Sequence, residues 1–570
     1  MTDTMLSQPT ARTYRLAALV KSVLDGDVRV PHFQRSFRWD ARDVVKLFDS
    51  VLRGFPVGSV LLWQRDAPAN HDLRLGAIRL DVPARPNALW VVDGQQRITS
   101  LVAAVDQNAW DLDERFRLVY DLKSESVMHE KDGGIRDTVP LPVLFNLRKL
   151  LSWVQEHPSL ADSIIELNEV ATRLQNFELP ASVVVDASQK MMQEIFDRMN
   201  SSGKRLRRAE IFSALFAAEE QDADTALTVS AVGDRIAGDT TFGRIDDDTI
   251  LQVILARRGN DTTRDIRREF DSEVKRRSEF PDEGRDGALA AGEQALRGAV
   301  AFLQNTAGVT HFALLPYRFL LITLARFLAH FPQPHARNAE LLSRWFWQAA
   351  LVGPEIFKSS STAAIRAFNA KVVPGDETGS VQGLLRILER EQSPIGPNLR
   401  RFRTNDSSTR IVLAAMWDRG PRSFETAELL SPSDIAEALD GKTTALNISL
   451  EIVGVRQVKS ERRQWAANRV LSVDSSELAL DVLMADSPFV ALDRGRFGDV
   501  VRRSHIVSDR AAHALDRGDF EAFLDLRNDD LTALTADFLG RRTGSGLEST
   551  PPLEDFDFDD DRDDLTGNTA

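Results

Sequence analysis

The chain has 570 residues, 71 Lys and Arg against 85 Asp and Glu, a net charge of −14 and no cysteine. The length exceeds what one hydrophobic core supports and predicts several domains. Absent cysteine excludes disulfides, thiolate zinc sites and cysteine nucleophiles. The acidic balance argues against a chain that coats nucleic acid along its whole surface. Yet Glu554 to Asp564 holds eight acidic residues against Arg562, so half the excess lies in eleven residues. Local basic patches on the body stay compatible with phosphate binding. The N-terminus lacks the basic stretch and continuous apolar core of a secretory signal. The richest apolar window, 312 to 331, carries Arg318 and Arg326. It reads as a buried helix pair rather than a membrane span, and a cytoplasmic protein with no membrane partner is expected.

In chain order, residues 13 to about 30 read as a helix, interrupted by VPHFQRSFRWD. ARDVVKLFDSVLRG, Ala41 to Gly54, has apolar residues at helical spacing and closes on a glycine suited to the position after a helix. A strand is predicted at Ser59 to Trp63 and another at Leu89 to Val92, the second entering WVVDGQQRITSL, Trp90 to Leu101. Val183 to Phe216 repeats the pattern, with a β-branched run, a helix ending at Asn200-Ser-Ser-Gly203, and a second helix. From about 225 to 390 the periodicity is helical. From about 400 to 542 helices and short strands mix, ending in an amphipathic helix around Phe520 to Leu539. The remainder lacks the apolar content to fold.

The chemistry is expected at Asp93, Gly94, Gln95, Gln96 and Arg97. A strand that turns at Asp-Gly into a helix points unpaired backbone N–H groups at one spot, and the helix dipole favours an anion there. Arg97 adds a guanidinium whose fork suits phosphate. From these residues alone a second reading stands beside the first: Asp93 and Arg97 cap and staple a turn.

Three segments, VPHFQRSFRWD at 30 to 40, GFPVGSVLLWQ at 54 to 64 and WVVDGQQRITSL, together resemble the N-terminal domain family of GmrSD-type modification-dependent restriction enzymes. FDRMNSSGKRLRRAEIF, Phe196 to Phe212, is similar to a fourth landmark of that family. The resemblance spans about residues 15 to 400. It implies a ParB/sulfiredoxin-like N-terminal domain over 1–220 followed by a helical region over 221–398; with the mixed α/β C-terminal domain that the periodicity predicts over 399–543 and the acidic disordered tail over 544–570, the fold class is α+β. It also implies anti-phage defence against modified DNA, with hydrolysis of a nucleoside triphosphate, GTP or ATP, as in SspE-like proteins. Carried over, Gly94, Gln95, Gln96 and Arg97 would cradle phosphate. Asp93 would hold Mg²⁺ through water or orient Arg97, and Gln95 or Gln96 would place the attacking water. Gln34 and Arg35 would lie near the same pocket. Asn200, Ser201 and Gly203 would contribute from the fourth landmark, although a polar helix cap explains them equally. A separately encoded defence partner fits the same picture. Two other functions remain open: a non-catalytic DNA- or partner-binding regulatory module, and a nicking nuclease acting from the ParB-like domain.

Family members often continue into an HNH nuclease. This chain has no histidine between His335 and His505. Leu446 to Ser476 has that domain's shape, with Asn468 where its asparagine belongs, but the expected histidine region reads LNISLEIVG. The C-terminal domain therefore reads as a degenerate, HNH-like module without that catalysis, and His505 as a structural histidine. Gly441-Lys442-Thr443 ends like a P-loop but follows a helix rather than a strand. Asp271, Glu273 and Lys275 mimic a nuclease cluster within alternating charges that suit a solvated helix. Arg400, Arg401 and Arg403 around Phe402 fit either a nucleic-acid grip or a basic linker. Trp345 and Trp347 read as core anchors.

Overall fold

The computed structural model describes residues 9–30, 39–132, 137–185, 228–264, 269–270, 278–357, 360–389, 396–440, 445–454, 457–458, 461–484 and 495–544. The chain is α+β and separates into two compact units. One comprises residues 1–233 with 246–251, and the other 234–245 with 252–570.

The first unit begins with strand β1 (Thr10–Arg15), helix α1 (Leu16–Leu24) and strand β2 (Val28–Arg29). This corrects the single helix expected over 13 to 30. The apolar spacing that suggests one long helix comes from Leu16, Leu19, Val20 and Val23 alone, all buried, and the chain turns at Gly26 with φ +78°. Helix α2 (Ala41–Leu52) starts at Asp40, whose carboxylate accepts from the Asp43 N–H, and buries Val44, Leu47, Phe48, Val51 and Leu52. Gly54 follows at φ +69°, the left-handed conformation a residue beyond a helix end often needs.

Strand β3 (Val60–Ala67) is longer than expected and leads into the hairpin β4 (Asn70–Leu75) and β5 (Ile78–Val82). Strand β6 (Arg85–Asp93) then feeds helix α3 (Gln95–Ala103). After the short helix α4 (Gln107–Leu112), strands β7 (Leu118–Asp121), β8 (Ser126–His129) and β9 (Thr138–Pro140) form a small sheet in the order β8-β7-β9. Helices α5 (Leu141–Leu144), α6 (Leu147–Glu156) and α7 (Ile164–Gln175) precede strand β10 (Glu178–Val184).

The main sheet is mixed, in the order β1-β10-β3-β6-β2. β10 runs parallel to β3, while β3 and β6 are antiparallel. The central strands are largely apolar where they pair, at Val60–Trp63, Ala88–Val92 and Ala181–Val184, and most of these residues are buried. Leu62, Val91, Val183 and Ala181 join Leu16, Phe48, Ile98, Leu101, Phe116 and Leu174 in one core.

The described part of the second unit is dominated by helices, among them Arg285–Phe302, Arg318–His330, Ala336–Val352, Glu377–Leu388, Ser407–Asp418 and Phe520–Thr543. The apolar window at 312–331 folds as a single 3₁₀ turn, Phe312–Leu314, and one helix rather than a helix pair. Arg326 is tolerated inside that helix because each of its three side-chain nitrogens donates a hydrogen bond. It bonds the carbonyls of Asn369, Ala256 and Val372, and Glu279. Trp345 and Trp347 are fully buried, and Trp347 packs edge-on against Phe538 with ring centroids 4.8 Å apart. Among the described residues no helix is long and apolar enough to cross a membrane.

Candidate functional site

Asp93 is the last residue of β6 and Gly94 the first of the turn into α3. The strand does not run straight into this turn. Leu61 lies opposite Asp93 while Leu62 lies opposite Val91, so Val92 is an extra residue on β6. Such a bulge twists a strand end and re-aims the side chain that follows it.

Gly94 has φ 93° and ψ 16°, and a Cβ there would fall 2.6 Å from Val60 Cγ1. Both backbone conformation and space therefore require glycine. Gly94 offers no side chain to cap α3, and the first intrahelical bond is from Ile98 N–H to Gly94 O at 3.0 Å. The N–H groups of Gln95, Gln96 and Arg97 consequently have no acceptor within the helix, which makes the turn a place where an anion is favoured.

Arg97 reaches back across the turn. Its Nη2 donates to Asp93 Oδ2 at 3.1 Å and its Nη1 to the Val57 carbonyl at 3.1 Å. The side chain is 19% exposed and that of Asp93 39%, so the pair is held yet reachable. Gly58 makes room for it. With φ +83°, Gly58 would carry a Cβ only 2.6 Å from Arg97 Nη1. The glutamines are also positioned. Gln95 Nε2 donates to Val91 O at 3.3 Å, which leaves its Oε1 as the acceptor end of the amide. Gln96 Oε1 accepts from the Trp39 N–H at 3.4 Å, and the Gln96 carbonyl accepts from Ser100 Oγ at 2.7 Å.

Asp93, Gly94, Gln95, Gln96 and Arg97 thus form one cluster. Asp93 and Arg97 are in direct contact through that hydrogen bond. Gln34, Arg35, Asn200, Ser201 and Gly203 lie outside the described residues. Sequence reasoning misses two contributors, Gly58 and the Val57 carbonyl. The available signal is a second glycine four residues after Gly54, immediately ahead of a strand.

Among the described residues no three His, Asp or Glu side chains gather as a metal-binding group. Asp93 alone offers a carboxylate at the turn, with Oδ1 taking no hydrogen bond among the described residues. One free carboxylate oxygen does not hold a resident ion, but it fits Mg²⁺ carried in by phosphates, which keeps most of its waters.

Residues 16–217 match the family described as the GmrSD restriction endonuclease, N-terminal domain. This stretch belongs to that family. Its bounds enclose α1 through β10 and with them the whole Asp93–Arg97 turn. An uncharacterized protein of Methanocaldococcus jannaschii is 36% identical over 99 residues, a match covering 16% of this chain and 17% of that protein. The chain therefore spans under a fifth of the curated relative it matches.

The C-terminal histidine and asparagine have structural surroundings. His505 is buried, its Nε2 lies 2.7 Å from the Arg422 carbonyl and its ring stacks on Phe424 at 4.2 Å. Burial pushes its pKa down to about 4. Asn468 is fully buried beside the two-stranded ladder of Ser449–Glu451 with Arg469–Leu471. Its Oδ1 accepts from the Val453 N–H at 2.8 Å, and its Nδ2 donates to the carbonyls of Val453 and Arg463.

Proposed function

We propose that the GmrSD-type domain binds a nucleoside triphosphate, GTP or ATP, on the turn at Asp93 to Arg97 and hydrolyses it, within a restriction-type defence protein that acts on DNA. The observation that carries this reading is the placement of Arg97. A guanidinium is fixed beside an uncapped helix start by two acceptors, and a glycine clears the space for it. Positive charge and free backbone donors converge there, which suits phosphate better than any other common ligand.

In this reading the N–H groups of Gln95, Gln96 and Arg97 receive phosphate oxygens. Arg97 turns its remaining N–H donors toward charge that builds up during transfer. Mg²⁺, when bound with the nucleotide, neutralises charge on the β and γ oxygens. Asp93 serves through Oδ1 as an acceptor for a water of that ion while Oδ2 keeps Arg97 in place. Gln95, its amide nitrogen committed to Val91 O, presents Oε1 to a water and orients it for attack. The family match supports DNA as the object of the defence reaction. Modified DNA as the trigger, and a separately encoded partner that performs cleavage, belong to the same proposal.

The test is nucleotide turnover. Purified full-length protein with Mg²⁺ hydrolyses GTP or ATP, and Arg97→Ala abolishes turnover while the protein stays folded. Absence of both binding and turnover with either nucleotide would refute the proposal.

A further inference from the structure

A second concentration of cationic and aromatic side chains lies in the other unit, away from any role given above. The segment Leu399–Arg403 is tied to Gln464–Ala466 by two backbone hydrogen bonds, Ala466 N–H to Leu399 O at 2.8 Å and Phe402 N–H to Gln464 O at 2.7 Å. Two arginine-rich stretches distant in sequence are thereby joined around Phe402 and Trp465, both partly exposed.

The arginines here divide into two groups. Arg462 pairs with Glu521 and Asp525, Arg463 Nε sits 2.5 Å from Glu451 Oε1, and Arg469 Nη2 sits 3.6 Å from Glu451 Oε2. Arg462 thus has two carboxylate partners, while Arg463 and Arg469 share one. Arg400, Arg401 and Arg403 are exposed and have no carboxylate partner among the described residues. The Arg400 guanidinium lies 5.4 Å from the centre of the Trp465 ring, and Arg469 lies 5.4 Å from that of Phe402. A guanidinium laid on an aromatic face is held extended, with its N–H edge left for an external anion.

We propose that this surface docks a nucleic-acid duplex by its backbone, with Arg400, Arg401 and Arg403 on successive phosphates and the Trp465 ring, which lies under both Arg400 and Arg462, holding Arg400 in place. Three exposed forks without a carboxylate partner among the described residues suit a backbone of repeated phosphates. The proposal does not depend on the nucleotide reading of the first unit.

The test is fluorescence anisotropy of full-length protein with a labelled mixed-sequence duplex, without nucleotide, over a salt series. Each phosphate contact contributes about −0.9 to the slope of log affinity against log salt. The triple variant R400A/R401A/R403A is therefore expected to flatten the slope by about 2 to 3, and to weaken low-salt binding at least tenfold, with an unchanged melting temperature. Asp93→Ala should bind the duplex as the parent does, which separates this outcome from that of the turnover assay. Equal slopes for parent and triple variant would overturn the proposal. So would displacement of the duplex by poly-glutamate as readily as by unlabelled duplex at equal charge.

Discussion

Gly58 and Arg97 share one space: a Cβ on Gly58 would come within 2.6 Å of Arg97 Nη1, in a residue whose φ is +83°. Gly58→Ala should therefore displace the guanidinium as well as strain the backbone. Gly54, at φ +69° with nothing within 4 Å of its would-be Cβ, supplies the comparison. Each alanine should cost about 1 to 2 kcal/mol of stability, the penalty for a left-handed L-residue. Only Gly58→Ala should also weaken nucleotide binding, by tenfold or more. Calorimetric titration of both variants checks this, and equal nucleotide affinities would disconnect Gly58 from the site.

Asp93 is given two duties, one through each carboxylate oxygen, and Asp93→Asn separates them. The amide is nearly isosteric and the pair is partly exposed, so the stability change should stay below about 1 kcal/mol. If Oδ1 serves an ion, the variant loses most of the Mg²⁺-dependent part of nucleotide affinity and keeps more of the metal-free part. An equal loss with and without Mg²⁺ would reduce Asp93 to a residue that positions Arg97.

Arg97→Lys keeps the charge but has one point donor where the guanidinium uses two nitrogens, one for Val57 O and one for Asp93. The lysine should leave the fold intact and lower turnover by at least tenfold, with kcat falling more than KM rises. A lysine variant with parental kcat would remove the need for a fixed fork.

His505 and His311 set an acid limit on the second unit. Burial holds both imidazoles neutral, with pKa values down from 6.5 to about 4. As pH falls below 6.5 the unfolded chain binds protons first, so their contribution is complete above about 6.5 and is lost by about 4. At roughly 1.4 kcal/mol per pH unit the ceiling is about 3 kcal/mol for each. Urea midpoints should fall steadily from pH 7 to 4.5, and His505→Gln should show a shallower fall. An identical pH dependence in that variant would mean that His505 is not held neutral.

Asn468 offers a test of how the C-terminal part works. Its side chain satisfies the N–H and the carbonyl of Val453 in a fully buried setting. Asn468→Ala leaves both unpaired and should cost about 2 to 4 kcal/mol, seen as a lower urea midpoint. A neutral substitution would contradict its role as the clamp on that loop.

The main features of the first domain were legible because they rest on local chemistry. Asp93-Gly94 ends a strand, α2 shows a clear apolar face, and Gly54 closes it. The short elements β1 and β2 were not legible. Their pairing with β10 and β6 is long-range, and the apolar residues of α1 masked the breaks on either side. The site itself was only half visible. Residues 93–97 are contiguous, whereas Gly58 and the Val57 carbonyl reach Arg97 across 39 and 40 residues of chain, and glycine records clearance without saying for which side chain. In the second unit, Arg400 to Arg403 fitted a nucleic-acid grip and a basic linker equally, because Trp465, the ring under Arg400, lies 65 residues away.

The central claim is that the Asp93–Arg97 turn turns over a nucleotide. The most direct measurement is phosphate release from GTP and from ATP by purified full-length protein with Mg²⁺, beside the Arg97→Ala variant of matched melting temperature. Release with at least one nucleotide, falling a hundredfold or more in the variant, is the expected result. Release that persists unchanged in Arg97→Ala, or none from the parent with either nucleotide, would contradict the account.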